Sequence, residues 1–303
     1  MCDTMPDVIA VGSIGLDTIK TPFGSVKKEL GGTAMYSSIA ASIFSPTGIV
    51  SIAGKDAPKK QLDYLRKRVD TKGLQIAKGK TMEFHCYYEY DMNEAHITKT
   101  DLNVFGKFSP ILPEEYRKAR FFFVGALVPE LQMKVFGQME SPEFVVLDTK
   151  PMFIQSSRKK LLEAAGRSNL LLINEWEARQ LFSTPNLLKA AKAALKLGPE
   201  YVIIKKGEHG SLLFTDGAYF SAASYPLENI LEPTGAGDSY AGALMGWLAK
   251  NGKVTEKKLR KAMIYGAVVA SFTVEGFGLS RLKSITLKDI EERYSEIKKI
   301  TCF

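Results

Sequence analysis

The sequence predicts an α/β fold, with a mostly parallel central sheet covered by helices on both faces. Short apolar, β-branched or aromatic runs alternate with helical patterns from one end of the chain to the other. Those runs are continuously apolar instead of alternating in polarity, as strands buried on both faces must be. Helical patterns fall between most of them, where the crossovers of a parallel sheet belong. No internal repeat, low-complexity tract or long linker divides the chain, so residues 1–303 are expected to form a single domain.

The first strand is Val8-Ile9-Ala10-Val11, followed by Gly12-Ser13. Residues 17–32 break the rhythm with Thr21-Pro22-Phe23-Gly24 and the pair Gly31-Gly32. A helical pattern over 34–44, a strand over 49–53 and a helix over 59–68 restore it. Residues 81–100 break it again: the extended run Phe84-His85-Cys86-Tyr87-Tyr88-Glu89-Tyr90, the turn signal Asp91-Met92-Asn93 and a second extended run read as a hairpin. Strands then fall at 121–124, 144–147, 170–173, 202–204 and 212–214, and helices at 155–165, 176–182, 187–197, 239–250 and 257–271. Together, 17–32 and 81–100 predict a small strand-rich lid over one edge of the sheet, of the kind that excludes water from a reaction. Its aromatic residues Phe84, Tyr87, Tyr88 and Tyr90 make lid-to-lid pairing in a homodimer an expectation.

Composition narrows the function classes. With 45% hydrophobic and 24% charged residues, the chain has the make-up of a soluble globular protein. Its longest apolar candidate, 262–274, is far short of the roughly 20 residues a bilayer needs. The start of the chain, residues 1–7, is acidic and lacks the basic opening of a secretory signal. Cys2, Cys86 and Cys302 are odd in number and widely spaced, which suggests reduced thiols and a cytoplasmic location. They form no metal pattern with His85, His96 and His209, and His85 and Cys86 are expected on opposite strand faces. The net charge of +8 comes from scattered pairs such as Lys59-Lys60 and Lys257-Lys258. These read as solvated helix faces, so neither nucleic acid nor membrane is an expected partner. A modest positive field suits a nucleotide substrate.

The segment from 232 to 252 carries the most chemistry. Pro233-Thr234-Gly235-Ala236-Gly237-Asp238 opens an apolar helical pattern that stops at Asn251-Gly252. Small residues at a helix start leave backbone N–H groups unobstructed, and with the helix dipole they form an anion site. Such a site stabilises charge on a transferred phosphoryl group. Asp238, in the first turn, is placed to take a proton from an attacking hydroxyl. Taken alone, Gly-x-Gly-Asp fits a helix-capping acid equally well. No Gly-Lys-Ser/Thr follows, so this is not a Walker A loop.

Gly235-Ala236-Gly237-Asp238 at a helix start resembles the signature of the ribokinase-like (PfkB) family of carbohydrate and nucleoside kinases. Further motifs follow in the family's order over essentially the whole chain. They are the first strand with Asp17 after it, Gly31-Gly32 before a small-residue helix, Asn174-Glu175-Trp176-Glu177, and Gly207-Glu208-His209-Gly210. The resemblance implies a three-layer ribokinase-like fold with a β-strand lid. It also implies transfer of phosphoryl from ATP to a hydroxyl of a sugar, polyol or nucleoside. Asp238 is then the base, with Gly235, Ala236 and Gly237 as anion hole, and Asp17, Gly31 and Gly32 hold the acceptor. Asn174, Glu177, Lys205, Gly207 and Gly210 serve the nucleotide side, with Glu177 acting on Mg²⁺ through water.

Several departures bear on these roles. Tyr36 stands where many relatives have an Asn that contacts a sugar hydroxyl, and Glu232 where an Asp often borders a monovalent-cation site. Lys205 replaces a frequent Thr and reads either as charge near the phosphates or as a solvated strand end. Asn174 and Glu177 also fit an N-cap and a first-turn acid. Asp148-Thr149-Lys150 ends a strand on the expected side, and ordinary loop chemistry is the favoured reading there. Two other functions compete: a non-catalytic descendant of the same fold, and a nicotinamide-dependent oxidoreductase, whose glycine fingerprint is incomplete at Gly12-x-x-Gly15.

Overall fold

The computed structural model describes residues 5–302. Cys2 lies outside them, and Cys86 and Cys302 are free thiols. The strands are β1 (Val8–Val11), β2 (Gly15–Thr21), β3 (Gly24–Gly31), β4 (Thr47–Gly54), β5 (Asp70–Ala77), β6 (Met82–Tyr87), β7 (His96–Asp101), β8 (Phe121–Val124), β9 (Phe144–Leu147), β10 (Leu170–Asn174), β11 (Tyr201–Lys205), β12 (Ser211–Phe214) and β13 (Tyr219–Ala222). The helices are α1 (Thr33–Ser42), α2 (Lys59–Arg68), α3 (Glu114–Arg117), α4 (Pro129–Phe136), α5 (Pro151–Ser156), α6 (Arg158–Ala165), α7 (Glu175–Leu181), α8 (Leu187–Leu195), α9 (Ala236–Asn251), α10 (Glu256–Val274), α11 (Ser280–Ser284) and α12 (Leu287–Ile300).

Nine strands form the main sheet in the order β13-β12-β11-β10-β9-β8-β1-β4-β5. All neighbours are parallel except the last two pairings at the β13 edge, β11 with β12 and β12 with β13. The fully apolar strands work because alternate residues feed two separate cores. Phe121 and Phe123 face one core with α1, α9 and α10, while Phe122 and Val124 face the other with α7 and α8. The sheet is thus the middle of three layers. β1 lies between β4 and β8, so the chain leaves it first toward one edge and later toward the other. The crevice beyond the carboxyl end of such a switch strand is where open α/β sheets bind ligands.

The remaining strands form a four-stranded sheet ordered β3-β2-β6-β7, and most of the stretches 17–32 and 81–100 fall in it. Glu83 on β6 ties it together through Lys28 of β3 at 3.1 Å and Lys99 of β7 at 3.2 Å. Those hydrogen bonds hold the Glu83 carboxyl down to about 2.

Several elements differ from the sequence expectation for physical reasons. The helix expected over 155–165 is two helices, broken at Ser157, whose φ of −141° is not helical. Strands β5 and β13 are sheet edges with half-exposed, mixed sequences that carry no apolar run. Helix α12 was not among the expected helices, although its capping box, Thr286 with Asp289, and its apolar stripe through Ile290 and Ile297 mark it. Cys86 is buried and His85 only half-buried, and a bulge separates them. Among the described residues no helix is long and apolar enough to cross a membrane.

Candidate active site

Helices α1 and α9 pack so closely that a Cβ on Gly242 or Gly246 would collide with the backbone of Ser37 or Ala41. Small residues four apart on both helices make that approach possible, and it brings the two helix N-termini side by side at the carboxyl end of β1. Gly32 begins α1 with φ 96° and Gly235 begins α9 with φ 81°, backbone that favours glycine. A Cβ at Gly235 would also stand 2.5 Å from the Tyr36 ring. Tyr36 is 1% exposed and braces the α9 start from below. Tyr36 is thus a packing residue.

At the start of α9 the Ala236 N–H bonds Pro233 O at 3.2 Å, while the N–H groups of Gly237 and Asp238 lack the partner four residues back, as at any helix start. Lys205, at the end of β11, puts Nζ 3.1 Å from where a Cβ on Gly237 would stand. Its side chain is only 16% exposed and pairs with Asp148 Oδ2 at 3.5 Å, so it is no solvated strand end. Burial pulls its ammonium down, but Asp148, Glu177 and Asp238 outweigh that and hold it above its ordinary value.

Asp238 occupies the first turn of α9. Its carboxyl is pushed up by burial and by Asp148, against Lys150, Lys205 and the neighbouring Thr33 hydroxyl. Asp17 lies on β2, in register with Glu29 of β3 and Phe84 of β6, and is 4% exposed. Burial pushes it up to about 8; Lys150 opposes this, while Glu232, Asp238 and Glu29 reinforce it. A side chain at Gly31 would collide with the Asp17 carboxylate, so the glycine leaves this acid room at the roof of the crevice. Lys150, at the α5 start, acts on both Asp17 and Asp238, and its Nζ sits 5.9 Å from the Phe84 ring centroid. Lys150 is thus an exposed residue just after β9 whose ammonium reaches over the Phe84 ring.

Asn174 and Glu177 form a reciprocal capping box at the start of α7, each bond 2.8 Å long. The cap leaves Glu177 buried beside Asp148 and Lys205; burial first, then Asp148, push its carboxyl up to about 7. Beyond Lys205 opens a cavity of about 570 Å³, lined by Gly207, Gly210 and Gly237 and walled by apolar residues such as Ile230, Ala267 and Val274. The crevice thus has two halves joined at Asp238: an acid-rich one under the lid and a mostly apolar one beyond α9.

A family model described as pfkB family carbohydrate kinase matches residues 5–285. The chain belongs to the pfkB family. Its members are phosphotransferases with an alcohol acceptor, so the oxidoreductase reading falls away. A cytidine kinase of Thermococcus kodakarensis is 29% identical over 260 residues, covering 83% of this chain and 92% of its own. An inositol 3-kinase of Arabidopsis thaliana is 24% identical, covering 96% of this chain and 80% of its own. The structure of Arabidopsis thaliana ribokinase complexed with ribose and ATP superimposes with a TM-score of 0.76 at 19% identity, over 96% of this chain and 99% of that one. The ribokinase-like three-layer fold expected from the sequence is the fold observed.

The family motifs omit three residues that the geometry adds: Asp148, Lys150 and the lid residue Tyr88. The Tyr88 hydroxyl bonds Thr234 Oγ1 at 3.0 Å and fastens the lid beside the α9 start. Asp148 and Lys150 had a sequence signal as polar residues directly after an apolar strand; Tyr88 was expected among the outward lid aromatics, and its bond to Thr234 turns it inward instead.

Proposed function

We propose that this pfkB-family kinase transfers the γ-phosphoryl group of ATP to a hydroxyl of a nucleoside, with cytidine the first acceptor to test. The observation that carries the phosphoryl-transfer half is the position of Asp238 in the first turn of α9, with Lys150 on the lid side and Lys205 on the cavity side. In this reading Asp238 takes the acceptor hydroxyl proton as that oxygen attacks the γ-phosphorus. The bond from the γ-phosphorus to the bridging oxygen breaks, and ADP leaves. The Gly235, Ala236 and Gly237 backbone and the two lysines stabilise the charge on the moving group. Asp17, with Gly31 and Gly32 beside it, accepts hydrogen bonds from acceptor hydroxyls, and Phe84, in register with it, carries the Lys150 ammonium over its ring. Gly207, Gly210 and the cavity beyond Lys205 take the nucleotide.

Magnesium fits this donor set. Glu177 and Asp148 are two buried carboxyl groups; burial first, then Asp148, pushes Glu177 up to about 7, and a divalent ion held by phosphate oxygens and water would offset the charge of both. The ion would supply charge neutralisation on the phosphates. Glu232 is buried, its Oε2 accepts the Gly278 N–H at 2.7 Å, and its Oε1 has no partner among the described residues, a setting that suits a monovalent cation or a proton. Of the lid aromatics Phe84, Tyr87, Tyr88 and Tyr90, only Tyr87 and Tyr90 are exposed, and a lid-paired homodimer would rest on them; light scattering at monomer mass alone would remove it.

The nucleoside acceptor rests on similarity to the cytidine kinase across most of both chains. A polyol acceptor is the second reading, favoured by the inositol 3-kinase match along 96% of this chain. The test is a phosphate-transfer screen of nucleosides, inositols and sugars with ATP and ADP as donors, using Asp238→Asn as control. Transfer to cytidine that falls by about 10²–10⁴-fold in the control is the expected result. Turnover by Asp238→Asn at the unaltered rate would sink the mechanism, and transfer only to inositols would replace the acceptor.

A further inference from the structure

The lid reaches further than the acceptor half of the site. Asp91, Met92 and Asn93, at the turn that follows β6, line the same 570 Å³ cavity as Gly207, Gly210 and Gly237. Met92 is only 9% exposed, although its neighbour Tyr90 is 84% exposed. A methionine buried at a loop tip has lost contact with water for contact with something, and here it turns inward to the cavity wall. It does so with φ 53°, a left-handed conformation uncommon for a side chain of this size. The turn is defined rather than loose: Met92 N–H donates to Glu89 O at 3.0 Å, and Asn93 N–H to Asp91 Oδ1 at 3.2 Å. Asn93 Oδ1 lies 3.6 Å from where a Cβ on Gly207 would stand, so its carboxamide hangs over the glycine turn. The same lid segment is fastened beside the α9 start by the bond from Tyr88 to Thr234.

We propose that the lid turn 91–93 is a donor-nucleotide contact, with Met92 packing on the apolar part of the nucleotide and Asn93 bonding its ribose or phosphate oxygens. This rests on reading the cavity as the donor site. A flexible thioether suits the face of a heterocycle, and a carboxamide supplies both donor and acceptor. One lid segment then spans both halves of the crevice, so nucleotide binding favours the closed lid that also covers the acceptor. Linkage makes the effect mutual: whatever factor the donor adds to acceptor affinity, the acceptor adds to donor affinity.

The experiment is calorimetric titration of a non-hydrolysable ATP analogue into the unaltered protein, Met92→Gly, Asn93→Ala and Tyr90→Ala, with no acceptor present. Met92→Gly removes the side chain and relaxes the left-handed backbone, so loss of fold is not the expected outcome. Analogue affinity should fall about tenfold in Met92→Gly, equivalent to about 1.4 kcal/mol. It should fall severalfold in Asn93→Ala and stay unchanged in Tyr90→Ala. Wild-type affinity in both Met92→Gly and Asn93→Ala overturns the inference while leaving the kinase reading intact. If the unaltered protein fails to bind the analogue, the donor-site reading fails, and this inference with it.

Discussion

Three carboxyl groups in one crevice are held far above the ordinary carboxylate range: Asp17 at about 8, Glu177 at about 7 and Glu232 at about 7. Burial is the first cause in each, so the folded protein keeps protons that the unfolded chain sheds near pH 4. A raised folded value places the stability contribution at low pH, and it is lost as pH rises from about 4 through 7–8. Asp17→Asn should therefore melt higher than the unaltered protein at pH 8, with the difference closing toward pH 5 in thermal unfolding. Its activity should fall, because binding hydroxyls requires the charged carboxylate. In the unaltered enzyme kcat/KM should climb between pH 6 and 8, and a flat profile there would contradict these roles. Lys150 lowers both Asp17 and Asp238, so its loss must raise them. Lys150→Met should cut kcat/KM by about 10–100-fold and move the acid limb of the profile to higher pH. A merely structural Lys150 would leave that limb in place.

At the scale of elements, the site depends on how α1 and α9 meet. The family resemblance drew attention to the small residues Ala34, Ser37, Ser38, Ala40 and Ala41, and of these Ser37 and Ala41 meet Gly242 and Gly246 through their backbone. Any side chain at Gly242 must push the helices apart, because what it meets is the Ser37 backbone and not a flexible tip. Gly242→Ala should lose about 1–3 kcal/mol, the cost of overpacking, seen as a lower urea midpoint. Turnover should drop with it, as the α9 start shifts from Asp17 and Gly32. Gly137 is the matched control, since a Cβ there meets atoms only at 3.7 Å and its φ of −69° suits any residue. Gly137→Ala should leave both quantities nearly unchanged. An equal loss in the two variants would remove the helix-contact account. Edge strand β5 was missed as a strand for the opposite reason, and the lid strands were legible from turn signals instead of an apolar pattern. Runs such as Gly24–Gly31 are largely exposed and polar, so pairing partners rather than an apolar pattern hold them.

For the whole molecule, the crevice lies where the main sheet, the lid and α9 converge, and a ligand there ties all three together. An ATP analogue at about 100 times its Kd should stabilise the protein by about 2.7 kcal/mol, near 5 °C in melting temperature. No shift under saturation would speak against a nucleotide site.

The sequence by itself determined the three-layer fold and the family, because buried parallel strands must be apolar on both faces and phosphate-cradling helix starts must be small. It also brought Asp17, Asp238, Glu177 and Lys205 to notice, since each sits beside an apolar strand or a glycine turn. What tertiary structure alone decided is their electrostatic company. Lys150 acquires its place by facing Asp17 and Asp238, which are 133 and 88 positions away in the chain. Tyr36 became a brace and Lys205 a buried cation through contacts that no local pattern encodes. A side chain's type and spacing are local properties, whereas burial and the charges that face it depend on elements brought together only by folding.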